Sequence, residues 1–131
     1  MDDLENFQNE IKVKNEALIL NSNMIDINKL SKSVCKIIII NNGYFGTGFF
    51  IKLERKNRPF YCLISCEHVL KEQFIKEKYE IQIYYDQDNK KINIILDEDK
   101  RCIRYYKYVD ISVVQILEED GLLEEIFCFQ I

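Results

Sequence analysis

Residues 34–53, VCKIIIINNGYFGTGFFIKL, contain two apolar runs separated by Asn41-Asn42-Gly43. β-branched and aromatic residues favour strands, and Asn and Gly tolerate the positive φ angles of a tight turn. The segment therefore predicts an antiparallel hairpin, with one strand at 34–40 and a second at 45–53.

Short β-branched and aromatic segments separated by turn signals continue along the chain. Further strands are predicted at 60–65, 81–85, 92–96, 102–106 and 109–117. Between the third and fourth strands the apolar spacing changes to a helical period, which predicts a short helix at 67–79. Several short strands with turn signals between them are typical of an all-β sandwich or barrel. Residues 1–32 are polar with loosely helical spacing and are predicted to form an N-terminal helical or irregular arm.

Composition limits the class of protein. The 131 residues are 47% hydrophobic and 31% charged, which predicts one small ordered domain or part of a larger one. Eighteen basic and 22 acidic residues give a formal net charge of −4, so we expect neither nucleic acid nor a membrane as a partner. The start of the chain lacks the basic and apolar segments of a secretory signal, and the five cysteines have no C-x-x-C spacing. We therefore expect a cytoplasmic protein with reduced thiols, and neither a metal nor a cofactor.

His68 is the single histidine and hence the one candidate for an imidazole base near pH 7. It directly follows an apolar strand and should lie at the rim of the sheet. Taken alone, it also fits a partly exposed histidine in the first turn of a helix. Asp110 stands at the head of a β-branched strand and, taken alone, fits a turn acid or a strand-start cap.

Three short motifs in order resemble the first half of a chymotrypsin-like serine protease of the intracellular or bacterial kind. They are Gly46-Thr47-Gly48-Phe49, the segment ISCEHV at 64–69, and Asp110-Ile111-Ser112-Val113. The resemblance implies that His68 is the catalytic base and that Asp110 is the acid that orients it. It covers residues 33–117 and implies a six-stranded antiparallel Greek-key β-barrel with a short helix after the histidine strand. Tyrosines before Asp110 are expected to cover the pair.

The sequence departs from the family pattern at several positions. Glu67 stands where the family has a small or neutral residue, and its carboxylate would either raise the pKa of His68 or act as a helix-start acid. The family places its nucleophile in a Gly-x-Ser-Gly-Gly or Gly-x-Cys-Gly-Gly turn of a second barrel, and no such motif follows Gly121. Ser65 and Cys66 are close to His68 in sequence but are expected to be buried strand residues, and Cys128 a small buried hydrophobe.

The resemblance therefore implies the N-terminal half of a serine or cysteine endopeptidase, inactive alone because the nucleophile is missing. Residues 118–131 would lead toward an absent second barrel, and self-association or a partner chain is a second way to complete the site. The substrate would be a protein or peptide. The alternative is a non-catalytic β-barrel protein-interaction module in which His68 and Asp110 have no chemical role.

Overall fold

The computed structural model describes residues 27–130, so most of the predicted arm at 1–32 lies outside the described residues. Within 27–130 no helix has the length and apolar character needed to cross a membrane. Ten helices and strands follow one another in this part of the chain: α1 (Ile27–Ser33), β1 (Val34–Ile39), β2 (Phe45–Arg55), β3 (Arg58–Ser65), α2 (Glu72–Lys76), β4 (Glu80–Tyr85), β5 (Lys90–Ile95), β6 (Ile103–Tyr106), β7 (Ile111–Gln115) and β8 (Phe129–Gln130). Two 3-10 turns are found at Lys107–Val109 and Glu118–Asp120.

Seven strands form one sheet in the order β5-β4-β1-β2-β3-β7-β6, with every neighbouring pair antiparallel. The short β8 pairs in parallel with β2, next to Ile51 and Lys52. The prediction of an all-β, mainly antiparallel fold is confirmed. The ladder is open, with β5 and β6 at its two ends, and a closed six-stranded barrel stays a prediction.

One buried cluster is shared by all seven of these strands. Side chains alternate between this core and the outside, as in β1 and β4, where every second residue is buried. Fully buried members include Ile37, Phe50, Leu63, Ile81 and Val114. A smaller apolar cluster around Ile51, Cys62 and Ile64 lies apart from the main core. Because strands from both ends of the ladder contribute to the same core, the sheet wraps around it.

The helix after β3 is shorter than the predicted 67–79 and covers Glu72–Lys76 only. In a continuous helix the amide of Phe74 would donate to the carbonyl of Leu70. That carbonyl instead accepts the hydroxyl of Ser112 at 2.9 Å, and the amide of Phe74 donates to Lys71 at 3.0 Å. The backbone of Lys71 is extended, with φ −70° and ψ 152°, so the helical ladder is interrupted there and residues 67–70 form a turn.

Candidate active site

The turn that carries His68 begins directly after β3. The amides of Val69 and Leu70 both donate to the carbonyl of Cys66, at 3.1 and 3.0 Å, which closes the turn and leaves His68 at its outer side. Ser112 holds the end of the turn through the buried bond to Leu70. The position of His68 is thus fixed by backbone hydrogen bonds on both sides.

Gly46 provides the space for this turn. A Cβ atom built on Gly46 would lie 2.5 and 2.7 Å from the two methyl groups of Val69, far inside van der Waals contact. Gly46 has no positive φ angle that would itself require glycine. The glycine of the G-T-G motif is therefore needed for close packing against the residue that follows His68.

Asp110 lies between the 3-10 turn Lys107–Val109 and the start of β7. Its backbone is left-handed, with φ 55° and ψ 49°, a conformation that Asp adopts more readily than most residues. Strand β7 pairs with β3 up to the partners Ser65 and Ser112. The residues just beyond those partners, Asp110 and the histidine turn, consequently meet at one end of the sheet.

The structure brings the two predicted site residues into direct contact across 42 positions of sequence. Oδ2 of Asp110 lies 2.5 Å from Nδ1 of His68, and Oδ1 accepts the backbone amide of His68 at 2.8 Å. The carboxylate thus binds the ring and the backbone of the same residue, which fixes the orientation of the imidazole. The bond to Nδ1 favours the tautomer with its proton on that nitrogen and its lone pair on Nε2.

The pKa of Asp110 reflects two opposing effects. Partial burial of the carboxyl group acts to raise the pKa, and hydrogen bonds from the backbone and ring of His68 act to lower it, with a further contribution from the amide of Glu67. The hydrogen bonds outweigh the burial, so the pKa of Asp110 lies below its ordinary value. Asp110 is accordingly ionised at neutral pH.

The pair is open to solvent. The side chain of His68 is 67% exposed and that of Asp110 is 45% exposed. The expectation that tyrosines cover the pair is wrong: Tyr108 is fully exposed, and the hydroxyl of Tyr105 donates to Glu72 at 3.0 Å. Both hydrogen bonds between His68 and Asp110 use the backbone amide and Nδ1 of His68, so Nε2 is not part of this contact.

Hydrogen bonding and burial act against the serine and the cysteines that were weighed as nucleophiles. The buried hydroxyl of Ser65 donates to the carbonyl of Thr47 at 2.8 Å. Burial raises the pKa of Cys66, and the negative charge of Asp110 raises it further by a smaller amount. Both effects oppose formation of a thiolate. Cys128 is half-buried, and burial raises its pKa to about 11.

The carboxylate of Glu67 accepts a hydrogen bond from the amide of Glu72 at 3.4 Å, which fits the interpretation of Glu67 as a helix-start acid.

Two features of the site were not predicted from sequence. The first is Ser112, whose hydroxyl supports the histidine turn. The sequence feature that could have indicated this role is the position of Ser112 on the buried face of the alternating strand β7. The thiol of Cys66 lies close to the pair: its sulfur, a ring nitrogen of His68 and a carboxylate oxygen of Asp110 all lie within 4.8 Å of one another. The spacing of Cys66 and His68 does not predict this cluster, because its third member, Asp110, lies 42 positions after His68 in the sequence.

Comparison with known proteins gives no match of this chain to a family model, a curated protein or a solved structure.

Proposed function

We propose that this chain is the histidine- and aspartate-bearing half of a chymotrypsin-like endopeptidase. His68 would be the general base that takes a proton from a serine or cysteine nucleophile, and Asp110 would orient the imidazole and stabilise its protonated form. The observation that carries the proposal is the two-point contact of Asp110, 2.5 Å to Nδ1 and 2.8 Å to the amide of His68.

The mechanism follows from the state of each ring nitrogen. With its proton on Nδ1, the ring keeps an acceptor lone pair on Nε2, and the side chain that carries it is largely exposed. When Nε2 takes the proton of an attacking hydroxyl or thiol, the ring becomes positive, and the adjacent ionised Asp110 stabilises that charge. The same proton can then be passed to the leaving amine of the peptide. Hydrolysis needs a nucleophile opposite Nε2, which a second barrel would supply.

The strand order is consistent with a Greek-key barrel of the chymotrypsin type. Strands β5 and β6 occupy the two ends of the open ladder and are consecutive in the chain, separated by residues 96–102. Strand β5 pairs with β4, and β6 pairs with β7. If β5 and β6 are taken as two halves of one interrupted strand, that strand connects the two ends of the ladder. On that count the strands would form a ring of six, and the core that all of them share supports this interpretation.

The test is peptide hydrolysis by the complete gene product that contains these residues. Cleavage of an unfolded protein substrate is expected for the wild type, with a loss of about 10⁴-fold in kcat for Asp110→Asn and a comparable loss for His68→Gln. Glu67→Gln is the matched control, because Glu67 is adjacent but contacts the helix start, and its activity should be retained. A fully active His68→Gln variant would overturn the proposal.

A fluorophosphonate probe checks where the nucleophile lies. The 131-residue chain alone should not be labelled, because Ser65 is hydrogen-bonded to Thr47 inside the fold. Labelling of this chain would contradict the need for a second barrel.

A second candidate function is a non-catalytic protein-interaction module. It is favoured by large exposed aromatic side chains: Phe45 is 72% exposed, and Tyr44 and Tyr108 are also exposed. In that case the complete gene product would hydrolyse no peptide, and substitution of Phe45 and Tyr108 by serine would abolish binding of the partner while His68→Gln would not.

A further inference from the structure

The fold places three different metal-ligating side chains at one point. The sulfur of Cys66, a ring nitrogen of His68 and a carboxylate oxygen of Asp110 lie within 4.8 Å of one another. Cys66 and Asp110 are half-buried and His68 is exposed, so a cation can reach the cluster from solvent. Thiolate, imidazole and carboxylate are the three ligand types that Zn²⁺ uses in proteins.

We propose that these three residues form a Zn²⁺ site that switches off the histidine base. The metal would be bound by Sγ of Cys66, Nδ1 of His68 and a carboxylate oxygen of Asp110, with a water molecule in the fourth position. Three protein ligands with one open position give an exchangeable site rather than a closed structural one.

The required movements are small. Tetrahedral zinc with bonds of about 2.0–2.3 Å separates its ligand atoms by roughly 3.3–3.6 Å. The nitrogen and carboxylate oxygen now lie 2.5 Å apart, and all three ligand atoms fall within 4.8 Å. For zinc binding the nitrogen–oxygen distance must widen by about 1 Å, and the sulfur must approach the other two atoms by no more than about 1.5 Å. The backbone bonds that hold the histidine turn need not break.

The regulatory consequence rests on the proposed function, whereas metal binding itself does not. Binding of zinc to Nδ1 displaces the hydrogen bond to Asp110 and moves the ring proton to Nε2. The thiol of Cys66 releases its proton to solvent as the metal–sulfur bond forms. A protonated Nε2 is a donor and cannot accept the proton of a nucleophile. Zinc and general-base catalysis by His68 are therefore mutually exclusive.

The test is titration of the full 131-residue chain with Zn²⁺, and with Co²⁺ as a spectroscopic probe. One metal per chain is expected, with a thiolate-to-cobalt charge-transfer band and release of one proton. Because loss of an outer-shell partner already costs 10–100-fold in affinity, Cys66→Ser should weaken binding by more than about 100-fold. Cys102→Ser is the matched control, since Cys102 is also half-buried but lies outside the cluster, and it should bind as the wild type does.

Two results would overturn the site: unchanged affinity in Cys66→Ser, or an equal loss in Cys102→Ser. Inhibition is measured separately on the complete gene product. There zinc should abolish hydrolysis by the wild type and leave Cys66→Ser active. An enzyme that stays active with the metal bound would refute the regulation alone. Absence of hydrolysis without metal would refute the peptidase function and leave the cobalt result standing.

Discussion

Replacing Gly46 by alanine should destabilise the protein, because the new methyl group would overlap with Val69. The built Cβ lies 2.5 Å from Cγ2, 2.7 Å from Cγ1 and 3.1 Å from Cβ of Val69. Carbon atoms in contact are normally separated by about 3.5–4.0 Å, so the two methyl groups are about 1 Å too close. Valine is branched at Cβ and cannot rotate both methyl groups away.

The expected cost follows from two opposing effects. Overpacking of this kind costs about 1–3 kcal/mol. Alanine also reduces the conformational entropy of the unfolded chain, which offsets up to about 1 kcal/mol. The net loss in the free energy of unfolding should be about 1–2 kcal/mol, or roughly 3–8 °C in melting temperature for a chain of this length. Urea and thermal unfolding followed by circular dichroism measure both quantities.

A double-mutant cycle with Val69→Ala gives the decisive comparison. Val69→Ala alone removes two half-buried methyl groups and should cost about 1 kcal/mol. In the double variant the methyl overlap is gone, so the two changes should be less destabilising together than their sum by about 1 kcal/mol. The reasoning fails if Gly46→Ala is as stable as the wild type, or if Val69→Ala does not reduce its cost.

Gly48→Ala is the matched control for this cycle. A Cβ at position 48 would lie 2.8 Å from Cδ1 of Leu63, 2.9 Å from Cδ1 of Ile37 and 3.0 Å from the carbonyl oxygen of Ile64. Truncating Leu63 leaves the other two contacts in place, one of which is backbone. Leu63→Ala should therefore not rescue Gly48→Ala.

Three further predictions concern the bonds around the site and the C-terminal segment. Ser112→Ala leaves the buried carbonyl of Leu70 without its partner and should cost about 1–3 kcal/mol in urea unfolding; a cost near zero would mean that the bond does not hold the turn. Asp120→Ala removes bonds of 2.7 and 2.9 Å from the 8% exposed Arg101 and leaves its charge with the neutral carbonyl of Gln115, which should cost about 3–5 kcal/mol. A change below about 1 kcal/mol would contradict a buried ion pair. Because the pKa of Asp110 is lowered in the folded state, its contribution to stability is present above the ordinary pKa and is lost as pH falls through the folded value. The advantage of the wild type over Asp110→Asn in urea midpoint should therefore shrink as the pH falls below the ordinary pKa of an aspartate, and a constant difference would count against this coupling.

Most strands could be predicted from the sequence because local pattern and tertiary burial agree there. The run at 34–40 and the alternation at 81–85 lead to strands within one residue of the observed β1 and β4. The apolar segment at 127–129 fits either a strand or a docking segment, and its pairing with the distant β2 through two residues has no local signal. The prediction of a helix at 67–79 is too long, because the apolar period continues across Lys71 whereas the backbone of Lys71 is extended.

The pairing of His68 with Asp110 could be predicted as a hypothesis from the order of three motifs. The exposure of the pair could not be predicted in this way. Tyr108 was expected to cover the pair, but it is fully exposed and belongs to a 3-10 turn that has no buried residue. The approach of Cys66 to the pair was also out of reach, because it depends on where the register of β3 and β7 brings two distant segments.

The sequence by itself determined the elements with a local cause: the strands, the turn at Asn41-Asn42-Gly43, and the presence of a single imidazole. Only the tertiary structure decided what that imidazole touches. Hydrogen bonds such as those of Asp110 and Ser112 join residues 42 positions apart, and their formation depends on strand register rather than on residue propensity. A shift of one residue in a β-ladder turns every side chain to the opposite face. The candidate site therefore exists only in the register that the packed core selects.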